Sequence, residues 1–190
     1  MNLSKVSQVT LSDLLLLWDS GTWGDQADKQ TGVPVLRSSN IQNWQIDLNT
    51  DFASRHISKK HLLEKILELE DIVITKSSGS PRLIGEAGLV NERVAGKFYF
   101  SNFLLRIRPN SDKVVPKYLF SYLRSPNARL VIEKMHRTTT GLRNLNLKLY
   151  LQQEIPIPYS DDPEKSLEEQ QRIVAHIESL LSEVEQAKKL

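Results

Sequence analysis

The sequence predicts an α+β fold: a globular body with a mixed β-sheet and flanking helices, followed by a long C-terminal coiled-coil helix. Three observations predict it. β-branched runs such as Ile72-Val73-Ile74-Thr75, and the apolar stretch at 103–108, read as strands. Pro116 and Pro126 sit where helical patterns begin, a position at which the missing N–H costs nothing. Ile173, Ile177, Leu180, Val184 and Ala187 recur at spacings of four, three, four and three, the 3.5-residue period of a coiled-coil seam.

Taken in order, Thr10 is expected to cap a short helix over 11–18, which Gly21-Thr22-Trp23-Gly24 breaks. Residues 33–36 read as a strand ending in the polar turn Arg37-Ser38-Ser39-Asn40, and 44–48 alternate as a half-buried strand does. Ser58 is expected to cap a helix over 59–67 with Leu62, Leu63, Ile66 and Leu67 on its inner side. An acidic turn at Glu70-Asp71 leads into the strand at 72–75, which opens into the loop 77–85 before extended structure resumes at 87–90. Residues 98–100 and 103–108 are expected to form a strand pair or one bent strand, and 109–112 a turn. Helices follow from Pro116 and Ser125-Pro126, and the second is expected to end in a polar loop at 137–141. Ser166 and Glu169 match the Ser-x-x-Glu box that satisfies free N–H groups at a helix start. The acidic, proline-containing 159–165 stretch is the expected boundary between a body at 1–159 and a linker and helix at 160–190.

Composition narrows the chemistry. The chain has 190 residues, a formal net charge of +2 and no cysteine, which excludes disulfides and cysteine zinc sites. It contains no run of about 18 apolar residues and no apolar core of a secretory signal at its start, so no membrane partner is expected and the cytoplasm is the expected compartment. Charge is unevenly placed: residues 106–150 hold ten basic residues against two acidic ones, whereas 160–190 hold four against eight. A basic block suits a polyanion such as DNA, and an acidic helix suits a protein partner.

Two polar stretches could carry recognition. In Lys76-Ser77-Ser78-Gly79-Ser80-Pro81-Arg82, hydroxyls, glycine-freed N–H groups and two cations can hold phosphate or reach base edges; the Gly-Lys-Ser/Thr ending of a nucleotide-binding loop is absent. In His136-Arg137-Thr138-Thr139-Thr140-Gly141-Leu142-Arg143-Asn144, arginine suits guanine, asparagine suits adenine, and threonine suits a thymine methyl. Lys148 follows as a phosphate-contact candidate, and Arg37 with Asn40 is a weaker candidate of the same kind. Each stretch also reads as an ordinary solvated turn. The four histidines, His56, His61, His136 and His176, make no metal motif, and no nucleophile elbow is present.

The run "NLNLKLYLQQEIPIP" followed by "LEEQQRIVAHIESLLSEVEQAK" resembles the end of a target recognition domain and the spacer helix of type I restriction–modification specificity subunits. "LEDIVITKSSGS", "YFSNFLLRIRPN" and "YLFSYLRSPNAR" extend the resemblance over nearly the whole chain. It implies a non-catalytic subunit that directs a partner adenine methyltransferase, and a restriction subunit, to a bipartite target in double-stranded DNA. S-adenosylmethionine would belong to the methyltransferase; this chain has neither an Asn/Asp-Pro-Pro-aromatic motif nor a glycine-rich cofactor loop, and would carry no cofactor or metal. Specificity subunits usually hold two recognition domains and two spacer helices. One of each stands here, as in a half-subunit, a truncated product or a fragment, and a homodimer through the helix would restore the pair. The rival readings are a coiled-coil interaction protein that never touches DNA, and a nuclease, which the missing motifs disfavour.

Overall fold

The computed structural model describes the backbone of residues 5–139 and 142–188, and the side chains of these except 136–139, 142 and 185. In chain order its elements are β1 (Val6–Thr10), β2 (Leu15–Ser20), β3 (Asp25–Gln26), β4 (Val33–Leu36), β5 (Ile41–Gln42), β6 (Gln45–Ile46), β7 (Ala53–His56) and α1 (Lys59–Glu64). Then follow β8 (Ile72–Thr75), β9 (Ser77–Ser78), β10 (Ala87–Leu89), β11 (Tyr99–Phe100), β12 (Leu104–Pro109), α2 (Pro116–Leu123) and α3 (Pro126–Glu133). The last are β13 (His136–Thr139), β14 (Leu142–Leu145), α4 (Leu147–Leu151), β15 (Glu154–Pro158) and α5 (Pro163–Ala187).

The antiparallel sheet β10-β8-β12-β2 is the centre of the body. Every residue of β8 is buried, because both faces of the strand are covered. Successive side chains point to opposite faces. Ile72 and Ile74, with Leu105 and Ile107 across from them, join the larger core under α2, α3, β15 and α5. Val73 and Leu104 face a second core with Leu36, Leu67 and Phe100. A second, mixed sheet runs β11-β4-β7-β3, with β11 and β4 parallel. The α+β class with a mixed sheet and a long C-terminal helix is therefore borne out.

Several local expectations are corrected. The 11–18 stretch is a 3₁₀ turn over Leu11–Leu14 and then β2; Thr10 makes no side-chain cap. Pairing of β2 with β12 outweighs the helix preference of the leucines. A Cβ at Gly21, just past β2, would collide with the carbonyl oxygens of Phe100 and Ser101, so the chain can pass there only as glycine. Strand 44–48 shrinks to Gln45–Ile46, one arm of a hairpin turned by Asn43 and Trp44, both at positive φ. Ser58 does cap α1, accepting from His61 N–H, but α1 ends at Glu64 and leaves Leu63 83% exposed. Residues 98–100 and 103–108 neither pair nor continue one another: β11 joins the mixed sheet and β12 the central one.

The C-terminal helix starts earlier than expected. Asp162 caps it, receiving Lys165 N–H, and Pro163 takes the first turn, so Ser166 lies inside α5 and Glu169 pairs with Arg172. Buried Gln170 docks the helix to the body: its Oε1 accepts Val115 N–H at 2.8 Å, at the start of α2, and its Nε2 donates to Ser166 Oγ. Val174 enters the larger core and Ile173 packs against it. Beyond Glu178, which pairs with Lys117 at 2.8 Å, the described side chains are exposed. The apolar seam is thus divided: Ile173 and Ile177 are partly buried, whereas Leu180, Val184 and Ala187 are exposed. Gln170→Ala leaves the Val115 N–H without its acceptor in a buried setting, and an expected loss of about 1–3 kcal/mol should appear in urea unfolding. A loss under about 0.5 kcal/mol would mean that the glutamine does not dock the helix.

Candidate nucleic-acid interface

The two recognition stretches, some sixty residues apart in sequence, meet in one small sheet. Of the expected loop at 137–141, residues 137–139 are instead strand: β13 pairs with β14, and β14 pairs with β9, so that Arg143 lies opposite Ser78 and Asn144 opposite Ser77. Cross-strand pairing satisfies backbone groups that a solvated loop would leave to water. Arg137, Thr138 and Thr139 stand on β13, with side chains outside the described set, and Thr140 lies outside the described residues.

The 76–85 excursion is pinched at its base. Gly85 N–H bonds to Thr75 O at 2.8 Å and Thr75 N–H to Glu86 O at 2.8 Å. Gly85 has φ +78°, and a Cβ there would stand 2.7 Å from the Ile132 side chain of α3. Arg129, which the sequence reading missed, ties the loop to α3: its guanidinium donates to Ile84 O at 2.6 Å and lies 3.6 Å from Glu133. Arg82, Arg129 and Arg143 then line one open groove of about 480 Å³ with Pro81 and Glu133. Arg82 is exposed and Arg143 half-buried. Exposed Lys148 follows on α4, whose start Asn146 caps by accepting Leu149 N–H.

Inside the loop, residues divide by burial. Ser77 and Ser78 are buried; Ser77 Oγ bonds to Asn144 Oδ1 at 2.6 Å and Ser78 Oγ accepts Ser80 N–H at 3.1 Å. Gly79 and Asn144 are exposed and Ser80 is half-buried. Lys76 turns the other way, its Nζ donating to Ser20 Oγ at 2.7 Å, and burial pushes its ammonium below the usual lysine value. Phe103, 43% exposed, sits beside them, its carbonyl accepting from both Lys76 and Ser77 N–H.

Two other expectations need correction. Asn40 is fully buried and used up internally: its Oδ1 accepts Arg37 N–H and its Nδ2 donates to Asp47 O and Thr50 O. It shapes the turn and has no amide edge left for a base. Arg37, half-buried on the mixed-sheet side, lies 4.0 Å from Asp51. The basic block is also less cationic in space than in sequence, because Arg106 pairs with Asp19 and Arg108 with Asp71, acids from outside the block. Among the described residues, no cluster of three or more His, Cys, Asp or Glu is placed to hold a metal, and no helix is long and apolar enough to cross a membrane.

A mixed-sheet body bearing one compact face of guanidinium, amide and hydroxyl groups, with a helix projecting from it, is the class of molecule these features define. The chain belongs to the family of type I restriction modification DNA specificity domains, whose family model matches residues 4–190. It is 26% identical over 151 residues to the type I restriction enzyme EcoKI specificity subunit of Escherichia coli (strain K12), covering 80% of this chain and 31% of that protein. It is 28% identical over 158 residues to the StySPI specificity subunit of Salmonella potsdam, covering 82% and 31%. The chain thus spans about a third of the length of these curated relatives. The fold is that of the HsdS subunit from Thermoanaerobacter tengcongensis, with TM-score 0.67 at 20% identity over 98% of this chain and 45% of that one. The type I restriction–modification S subunit from M. genitalium gives a TM-score of 0.58 at 15% identity over 100% and 42%.

Proposed function

We propose that this chain reads one half of a bipartite target in double-stranded DNA and thereby directs a partner adenine methyltransferase subunit, and through it a restriction subunit, to that site. The observation that carries this reading is the convergence of the two polar stretches on the β13-β14-β9 sheet, beside a groove holding Arg82, Arg129 and Arg143. The relatives' names, as specificity subunits of type I restriction enzymes, point the same way. The chain itself is non-catalytic in this reading, and S-adenosylmethionine is bound by the methyltransferase. Recognition residues are Ser80, Arg82, Arg137, Thr138, Thr139, Thr140, Arg143 and Asn144, with Lys148 on phosphate; Lys76, Ser77 and Ser78 shape the loop, and Arg129 holds it, rather than touching the DNA. The body would be residues 1–159 and the spacer 160–190, and Leu180, Val184 and Ala187 would seat a second copy of the helix.

The test is DNA binding under salt titration. Arg82→Ala or Arg143→Ala should weaken binding to the selected sequence by about 1–3 kcal/mol and relax one base position. Lys148→Ala should weaken all sequences alike and make the salt slope shallower by about one unit. A wild-type chain whose DNA affinity is negligible at low salt would favour the rival reading of an interaction protein.

A further inference from the structure

We infer that Ser77 is a positioning residue that orients the Asn144 carboxamide to read one adenine; this rests on the DNA-reading function proposed above. Ser77 is 8% exposed, too buried to serve as an independent DNA contact, while its register partner Asn144 is exposed. Ser77 Oγ stands 2.6 Å from Asn144 Oδ1, so the hydroxyl donates and the amide oxygen accepts. A solvent-facing asparagine turns freely about its last torsion, and its oxygen and nitrogen ends exchange places at little cost. A fixed hydroxyl donor removes that freedom, because it favours the oxygen end on the Ser77 side and turns the NH₂ away. The oxygen keeps a second lone pair, so the outward edge offers a donor beside an acceptor. In the major groove adenine presents the inverse pair, the N7 acceptor and the N6 donor, whereas guanine presents two acceptors. Holding the amide before DNA arrives also lowers the ordering cost of the contact. The backbone supports the geometry from both sides: Ser77 N–H bonds to Phe103 O at 3.1 Å, and Leu145 N–H to Lys76 O at 2.8 Å.

The experiment is selection from random duplexes with the full chain, comparing wild type with Asn144→Ala, Ser77→Ala, Ser77→Thr and Ser77→Cys, each checked for folding by thermal unfolding. Wild type should select a motif with one position demanding adenine, and 7-deazaadenine there should weaken binding about tenfold. Asn144→Ala should lose both the preference and the 7-deaza effect. Ser77→Ala should lose most of the preference with an unchanged salt slope, and Ser77→Thr should keep it. Ser77→Cys, a weak donor of similar size, should show a reduced preference, and it decides the question if Ser77→Ala does not fold. A full adenine preference in Ser77→Cys or folded Ser77→Ala overturns the inference. So does a wild-type motif that Asn144→Ala leaves intact, or one whose lost position is not adenine; in both cases the DNA-reading function stands. A wild type that selects no sequence removes that function and the inference together.

Discussion

Replacing Arg106 by alanine is expected to lower the stability of the body by about 3–5 kcal/mol, because it breaks a bidentate ion pair, leaving Asp19 to Lys65 alone, and takes the donor from the Glu64 and Ile66 carbonyls. Arg106 is 2% exposed on the central strand β12. Its Nε and Nη2 reach the two carboxylate oxygens of Asp19 at 2.9 and 2.8 Å, and its remaining donors reach Ile66 O and Glu64 O, both at 2.8 Å. One guanidinium therefore fastens edge strand β2 and the end of α1 to the middle of the sheet. For a chain of this size the loss corresponds to a fall of roughly 6–20 °C in the thermal midpoint. Arg106→Lys should rescue little, since a lysine lacks the planar fork that serves four acceptor atoms. The triple change Asp19→Leu, Lys65→Met and Arg106→Met should cost less than the three single changes added together, because Lys65 shares the Asp19 carboxylate at 2.7 Å and the triple change leaves no member of the network unpaired. A midpoint for Arg106→Ala within about 2 °C of wild type would mean that the network does not hold the sheet.

The same residues show what the sequence conceals. Arg106 and Arg108 count toward a basic block when read along the chain, yet their partners, Asp19 and Asp71, lie 87 and 37 residues away and appear only once the strands pair. Elements set by local chemistry were legible. Pro116 and Ser125-Pro126 start α2 and α3 where expected, and the β-branched run of β8 is a buried strand. Elements set by distant pairing were not. The leucines of 15–17 carry a helical preference that β12 overrides, and 137–139 became a strand because β14 lies beside it. The Ser166–Glu169 motif was a genuine pattern in the wrong turn, since the Asp162 cap four residues earlier, followed by Pro163, is the stronger start signal. For the candidate interface, residue types were readable but burial was not. Asn40 and Asn144 look alike in sequence, and only packing makes one a buried staple and the other an exposed amide. Arg129 could have been suspected from its place in the basic block near the polar stretch at 137–144, but its role depends on carbonyls 45 and 48 residues away.

Replacing Leu180 and Val184 together by aspartate is expected to turn the proposed dimer into a monomer without loosening the body. α5 has 25 residues and is about 37 Å long at ~1.5 Å per residue. Its first half is committed to its own body through Gln170, Ile173 and Val174. Its second half leaves Leu180, Leu181 and Val184 at 48%, 41% and 50% exposure, within little more than one turn. A stripe of this kind on a projecting helix gains from a partner helix. A second copy supplies one by two-fold symmetry, holding two recognition bodies apart over equivalent half-sites. The target read by such a dimer is a palindrome with an unread spacer whose length the helix pair sets. Ile177 is a poor probe of this contact, because it is already partly buried within one chain. Leu180→Asp with Val184→Asp places charge only where the second helix would lie, and the dimer should weaken at least about a hundredfold, roughly 3 kcal/mol. Sedimentation at micromolar concentration should show wild type as a dimer and the double variant as a monomer with the same thermal midpoint as the wild-type body. A wild-type mass that stays monomeric at every concentration, or a dimer that survives both aspartates, would leave the stripe to a different partner, and the chain would then read a half-site alone.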